Sequence, residues 1–185
     1  MFGKAGSEGR YYYGSNTHRY INELIGRGRE VLIVSPYVDR YYAKILLDKS
    51  RGRKFYLISS SMDGDALRLL SKGPSLMTPA YLGISLIMLG LLIFMGVPYV
   101  LLPTAAIPAA AGAVRNVSRR PSVNLKVPKH FVHAKMYISD GMAITGSANL
   151  TYAGTHKNVE QINIIYSNPD ISRLREQFWG MWKEA

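Results

Sequence analysis

The sequence predicts an α/β domain, a sheet with helical cover, that is interrupted by an apolar helical hairpin. Continuous apolar runs at 31–34 and 54–59 are typical of strands buried on both faces, and a helical stretch lies between them. No charged residue occurs between Lys72 and Arg115. A chain of 185 residues is long enough for one domain with a proper core and too short for two. We therefore expect one domain around the hairpin.

The first half of the chain alternates helices and strands. Asn16 and Thr17 can cap a short helix that ends at Gly26 and Gly28. Its apolar residues recur at helical spacing: Tyr20, Ile21, Leu24 and Ile25. The elements predicted next are a strand at 31–34, a helix around 41–48, a strand at 54–59 and a helix over roughly 65–71. Strand, helix and strand in this order favour a sheet covered by helices.

The uncharged interval covers residues 73–114 and is mostly as apolar as a membrane span. A bilayer core of about 30 Å takes about 20 helical residues, so the interval is long enough for one long span or two short ones. One crossing would leave the two halves of the domain on opposite sides of the membrane. We therefore predict one folded domain made of residues 1–75 and 115–185, and a membrane-inserted hairpin at 76–114.

The hairpin is predicted as a helix at 76–95, a turn at 96–98 and a second helix at 99–114. Pro103 and Pro108 make the second helix kinked, short or only partly inserted. Basic residues flank the hairpin on both sides, which by the positive-inside rule predicts a cell-membrane protein with its catalytic domain and both termini in the cytoplasm. The alternatives are a buried hairpin in a soluble oligomer and a re-entrant membrane element.

The second half of the chain predicts more strands and a closing helix. The strands are expected at 122–127, 133–138, 142–145 and 161–166. The helix begins at Asn168 or Asp170. Its apolar residues lie at helical spacing, with Trp182 alongside: Ile171, Leu174, Phe178 and Met181. This stripe should pack on the sheet.

Composition limits the classes of partner and chemistry. Lys and Arg outnumber Asp and Glu by 23 to 12, which suits a nucleic acid, an acidic membrane surface or a phosphorylated small molecule. The chain has no cysteine, which excludes disulfides, thiolate metal sites and cysteine nucleophiles. The first 14 residues lack the apolar core of a signal peptide. We therefore expect intracellular chemistry on an anionic substrate.

The stretch from His133 to Leu150 carries the candidate chemistry. On a strand, residues two apart project to one face, so His133 and Lys135 are predicted to point into a single cleft. This pairs a nucleophile or acid with a phosphate-binding cation. Asp140 follows at the end of the strand, either as a catalytic residue or as a structural one that pairs with Lys or with the backbone.

A tight turn and a carboxylate complete the set. Gly146, Ser147 and Asn149 supply the turn, a hydroxyl and an amide for phosphoryl oxygens. Glu160 lies on the approach to the next strand, where its carboxylate could hold one imidazole nitrogen and fix the tautomer of His133.

These residues resemble the signature of the phospholipase D superfamily, His-x-Lys-x4-Asp followed by Gly-Ser-x-Asn. The matching positions are His133, Lys135, Asp140, Gly146, Ser147 and Asn149. The pattern is similar to single-motif members such as the small bacterial endonuclease and the mitochondrial membrane-anchored phospholipase D-like proteins. The resemblance implies a mixed sheet flanked by helices, and the apolar insertion is the main departure from it.

The resemblance also implies a mechanism. One histidine attacks phosphorus to form a phosphohistidine, and a second histidine protonates the departing oxygen. Because the chain has one motif, two copies of His133 would meet at the shared site of a twofold homodimer. Lys135 and Asn149 of both chains would neutralise charge on the phosphoryl oxygens, so we expect no metal and no cofactor. Ser147 joins them in binding phosphate, and Glu160 joins the catalytic set.

The motif indicates the reaction and leaves the substrate open. The basic charge favours a nuclease. A membrane hairpin favours the alternative, a phospholipase or phosphatidyl transferase that acts on membrane lipids. A third possibility is an inactive membrane scaffold, against which the intact motif argues.

Overall fold

A computed structural model describes residues 9–71 and 123–185. The strands are β1 (Gly9–Gly14), β2 (Glu30–Val34), β3 (Tyr37–Val38), β4 (Lys54–Ile58), β5 (Ser61–Met62), β6 (Asn124–Lys126), β7 (Met136–Ile138), β8 (Ala143–Gly146) and β9 (Glu160–Ile165). The helices are α1 (His18–Gly26), α2 (Arg40–Lys49), α3 (Gly64–Ser71), α4 (Tyr152–His156) and α5 (Asn168–Glu184). The predicted mixed α/β class is therefore confirmed for these residues.

Seven strands form one mixed sheet in the order β1-β9-β8-β7-β2-β4-β6. Strands β2, β4 and β6 run parallel to one another, whereas β2-β7, β7-β8, β8-β9 and β9-β1 are antiparallel pairs. Strands β3 and β5 form a separate parallel pair. The sheet thus joins a parallel half, made of β2, β4 and β6, to an antiparallel half that carries the motif.

Apolar cores lie on both faces of the sheet. One buried cluster combines the sheet with α1, α2 and α3, and it includes Leu24, Leu46 and Leu70. The other packs the sheet against α5 through Ile171 and Phe178, both of which are buried as their helical spacing predicts. The residues of β2 from Val31 to Val34 are buried on both faces, which confirms the prediction from their continuous apolar run.

The structure differs from the sequence-based expectation in five elements. Strand β7 begins at Met136 rather than at 133, so His133 and Lys135 lie in the loop before it. Strands β1, β3 and β5 and helix α4 were not predicted. In β1, an edge strand, Tyr11 and Tyr13 are each 76% exposed, so the tyrosine run lacks the apolar alternation that marks a strand.

Both described segments contribute to one sheet. Strand β4 of the first segment pairs with β6 of the second, for example through Ile58 and Lys126. The predicted membrane hairpin at 76–114 lies outside the described residues. Within the two described segments, no helix combines the length and the apolar character that a bilayer crossing requires.

Candidate active site

The motif histidine and lysine lie at one end of the sheet. The register of β7 against β2 places Met136 opposite Val34, so the loop before β7 reaches the carboxyl end of β2. This loop is held by Ser60, whose Oγ accepts from Val132 N at 2.8 Å and lies 3.2 Å from the Val132 carbonyl oxygen. His133, the next residue, is exposed. The fold therefore presents this imidazole to solvent on a fixed backbone.

Lys135 contacts His133 directly. Its Nζ donates to the His133 carbonyl oxygen at 2.9 Å and lies 3.2 Å from both ring nitrogens. The lysine is buried, and this desolvation lowers the pKa of its ammonium below the usual range, while the nearby Glu160 carboxylate acts in the opposite direction. The predicted juxtaposition of the two side chains is present, although the loop and not a strand produces it.

Glu160 is buried at the start of β9, next to Ser147. Its Oε2 accepts a short hydrogen bond from Ser147 Oγ, and its Oε1 accepts from Asn158 Nδ2 at 3.3 Å. Neither oxygen forms a hydrogen bond with the His133 ring of the same chain, and the role of Glu160 in fixing the His133 tautomer stays a prediction. Glu160 positions the Ser147 hydroxyl and places negative charge near Lys135.

The turn at the end of β8 requires glycine. Gly146 has a φ of +156°, a conformation that L side chains rarely adopt. A Cβ there would overlap the Gln161 carbonyl oxygen and approach Ile162 Cα to 2.8 Å. The neighbouring Asn149 is half-buried, and its Oδ1 accepts no hydrogen bond from any described residue. Gly146 thus lets β8 and β9 approach closely, and Asn149 Oδ1 is a buried acceptor without a donor among the described residues.

Asp140 lies at the other end of β7 from this site. At about 3.3 Å per extended residue, five residues separate it from Lys135 by roughly 15 Å. Its carboxylate accepts from Arg29 N at 2.7 Å and from Arg175 Nη2 at 3.4 Å. These contacts, which join the start of β2 to α5, favour the structural alternative for Asp140, and its catalytic role stays a prediction.

Replacing Asp140 with alanine should lower stability and spare activity. Loss of the acceptor for Arg29 N is expected to cost about 1 kcal/mol, which lowers the melting temperature by about 2–4 °C. Thermal unfolding and cleavage at 25 °C would be measured together. Asp65→Ala, which removes an exposed carboxylate paired with Arg40 at 2.9 Å, is the control and should change neither value measurably. A folded Asp140→Ala protein without activity would return Asp140 to the catalytic set.

Several residues around the site were not identified from the sequence. Phe131 lies beside the His133 ring, Asn158 donates to Glu160, and Ser60 contacts Val132, the residue before His133. None of the three belongs to the signature. They come from three different loops, and only the folded sheet brings them together. Within residues 9–71 and 123–185, no three histidine, aspartate or glutamate side chains are grouped closely enough to hold a metal ion. The expectation of a metal-independent enzyme stays a prediction.

Comparisons with known proteins agree with this architecture. The phospholipase D family member Nuc from Salmonella typhimurium is similar at 14% identity and a TM-score of 0.58, with 96% of each chain covered. NucT from Helicobacter pylori is similar at 14% identity and a TM-score of 0.58, with 97% of this chain and 98% of that one covered. At these identities the likeness shows the fold. No curated protein sequence matches the chain.

A family model supplies the stronger match. The model described as cardiolipin synthase, PLD-like domain matches residues 21–182, which includes every motif residue. Because the match spans well over half of the sequence, the chain belongs to the cardiolipin synthase, PLD-like domain family of the phospholipase D superfamily.

Proposed function

We propose that this protein is a metal-independent nuclease that cleaves phosphodiesters through a phosphohistidine intermediate. The observation that carries the proposal is the pairing of an exposed imidazole, His133, with a buried ammonium, Lys135, whose Nζ lies 3.2 Å from both ring nitrogens. The nucleophile is open to substrate and the cation is fixed beside it. This arrangement suits attack on an anionic phosphorus centre.

The first step forms a bond between a His133 ring nitrogen and phosphorus and breaks the bond from phosphorus to the leaving oxygen. A second imidazole donates the proton that this oxygen takes up. The same imidazole then accepts a proton from water, which attacks the phosphohistidine and breaks the phosphorus–nitrogen bond. Lys135 neutralises charge that develops on the phosphoryl oxygens. The Ser147 hydroxyl donates its one proton to Glu160, so it binds a phosphoryl oxygen, as the sequence predicts, only after it turns away from that carboxylate.

The second imidazole is proposed to be His133 of another copy in a twofold dimer. Support comes from the single motif per chain. Among the described residues, no histidine besides His133 forms a hydrogen bond with Lys135, Ser147 or Glu160. Two copies related by a twofold axis would supply one nucleophile and one acid at each shared site.

Nucleic acid is the proposed substrate because the net charge is +11, and lysine and arginine bind phosphates along a chain without regard to sequence. The apolar interval supports a second proposal, a membrane-anchored enzyme with its domain on the cytoplasmic side, which would also bring the site close to lipid phosphodiesters. Hydrolysis or transfer of phospholipid headgroups is therefore the alternative function.

The full-length protein should cleave single-stranded DNA or RNA in the presence of a chelator, and should leave phospholipid vesicles intact. Cleavage would be followed by gel electrophoresis of labelled oligonucleotides, and headgroup release by mass spectrometry. A requirement for a divalent metal would contradict the phosphohistidine mechanism. Cleavage of vesicles without cleavage of nucleic acid would establish the lipid alternative. Inactivity on every substrate would favour the third possibility, an inactive membrane scaffold.

A further inference from the structure

A row of exposed aromatic rings begins at the catalytic histidine. The Phe131 ring centroid lies 6.1 Å from that of His133, with 34° between the ring planes. The Tyr37 ring follows at 5.9 Å from Phe131, with 56° between the planes. Phe131 is 56% exposed and Tyr37 is 43% exposed. These two rings contribute little to the core, and their faces are open beside the site.

The backbone holds both rings in place. Ser60 fixes the Phe131 loop through its two contacts with Val132. Tyr37 lies in β3, where it pairs with Ser61 of β5, and its carbonyl oxygen accepts from Ser35 Oγ at 2.8 Å. Because the backbone beneath both rings is held without a ligand, little backbone entropy is lost when a planar group stacks on them.

We propose that Phe131 and Tyr37 form a stacking platform for the base next to the scissile phosphate, an inference that rests on the nuclease function proposed above. A phosphate at His133 places its neighbouring nucleoside over the adjacent ring, since that ring is only 6.1 Å away. A phospholipid presents glycerol and headgroup at this distance, which offer no flat surface. The platform therefore fits nucleic acid better than lipid.

The platform also determines the form of the nucleic acid. In a duplex, each base face is covered by the neighbouring bases, so a base reaches Phe131 only from a single strand or after unstacking. Every base has a π face, so the platform selects single strands with little sequence preference. The substrate class inferred from the two rings is thus single-stranded nucleic acid.

The test compares two single-stranded DNA oligonucleotides of equal length, one with bases and one made entirely of abasic nucleotides. With chelator present, Phe131→Leu should lower kcat/KM on the base-containing strand by about tenfold, within the range that loss of one stacking contact produces. It should leave kcat/KM on the abasic strand unchanged. Tyr11→Leu, which removes an exposed ring from the edge strand β1, is the matched control and should change neither value.

An equal loss on both strands would overturn the platform, because it would show that Phe131 only positions His133. If Phe131→Leu lowered activity only on phospholipid vesicles, this result would overturn the platform in favour of a lipid contact. If the unsubstituted protein cleaves neither strand, the nuclease function itself fails. A binding measurement gives a second readout: an oligonucleotide containing 2-aminopurine should be quenched by the His133→Asn protein, and less so when Phe131→Leu is added.

Discussion

Replacing His133 with alanine is expected to abolish cleavage, with a loss of at least about a thousandfold in kcat. In the proposed mechanism the imidazole supplies the attacking nitrogen in one copy and the proton of the leaving oxygen in the other, so the substitution would remove both reacting groups of the shared site. The side chain is exposed and its only described hydrogen-bond partner is Lys135, so the fold should not depend on it. Single-turnover assays and circular dichroism would measure the two properties.

His130→Ala is the matched control, since His130 is another exposed histidine in the same loop, three residues earlier. It should retain most of the activity. If His133→Ala remained active while folded, another group would have to be the nucleophile. Trapping the intermediate gives direct evidence, because the label on a phosphohistidine is lost in acid and retained in base. This labelled species should be absent from His133→Ala.

Mixing the two proteins tests the shared site. After unfolding and refolding an equal mixture, half of the dimers are heterodimers, each with one His133 in place of two. If both copies are needed at one site, activity should fall to about one quarter of that of the unmixed enzyme, rather than to about one half. A value of one half would show that each chain acts alone.

The sequence predicts the parallel half of this fold better than its antiparallel edge. Strand β2 is buried on both faces, so its apolar residues form a continuous run that marks the strand in the sequence. Strand β1 lies at the edge of the sheet and exposes Tyr11 and Tyr13, so its pattern resembles a polar aromatic loop. The burial of a strand determines its pattern of apolar residues, and an edge strand buries few side chains.

In the candidate site, too, the sequence predicts contacts between residues that are close in sequence better than contacts between residues that are far apart. The spacing of His133 and Lys135 is local, and the structure brings the two side chains together as expected. Asp140 lies at the opposite end of β7 from Lys135, as the length of a strand between them requires, but its partners Arg29 and Arg175 are far from it in sequence. Glu160 contacts Ser147 because β8 and β9 are neighbours, and this pairing depends on the register of the sheet.

Replacing Lys135 with methionine should lower kcat by about 10²- to 10³-fold, which is the second-largest effect expected. The ammonium is the closest described cation to the His133 ring, and a preorganised charge in a buried position stabilises a developing phosphoryl charge more strongly than an exposed one does. Methionine has a similar length and no charge. Pre-steady-state cleavage at saturating substrate would separate this loss from weaker binding.

Lys126→Met is the matched control, because Lys126 is also partly buried and donates to a backbone carbonyl, that of Trp182 at 2.6 Å. It should reduce stability and leave kcat unchanged.

Lys135 must be charged to act, and burial lowers the pKa of its ammonium, so the rate should fall on the alkaline side at a lower pH than an ordinary lysine would produce. In Lys135→Met this alkaline decrease should be absent. An unchanged pH profile in the variant would assign the decrease to another group and would remove Lys135 from the charge-stabilising role.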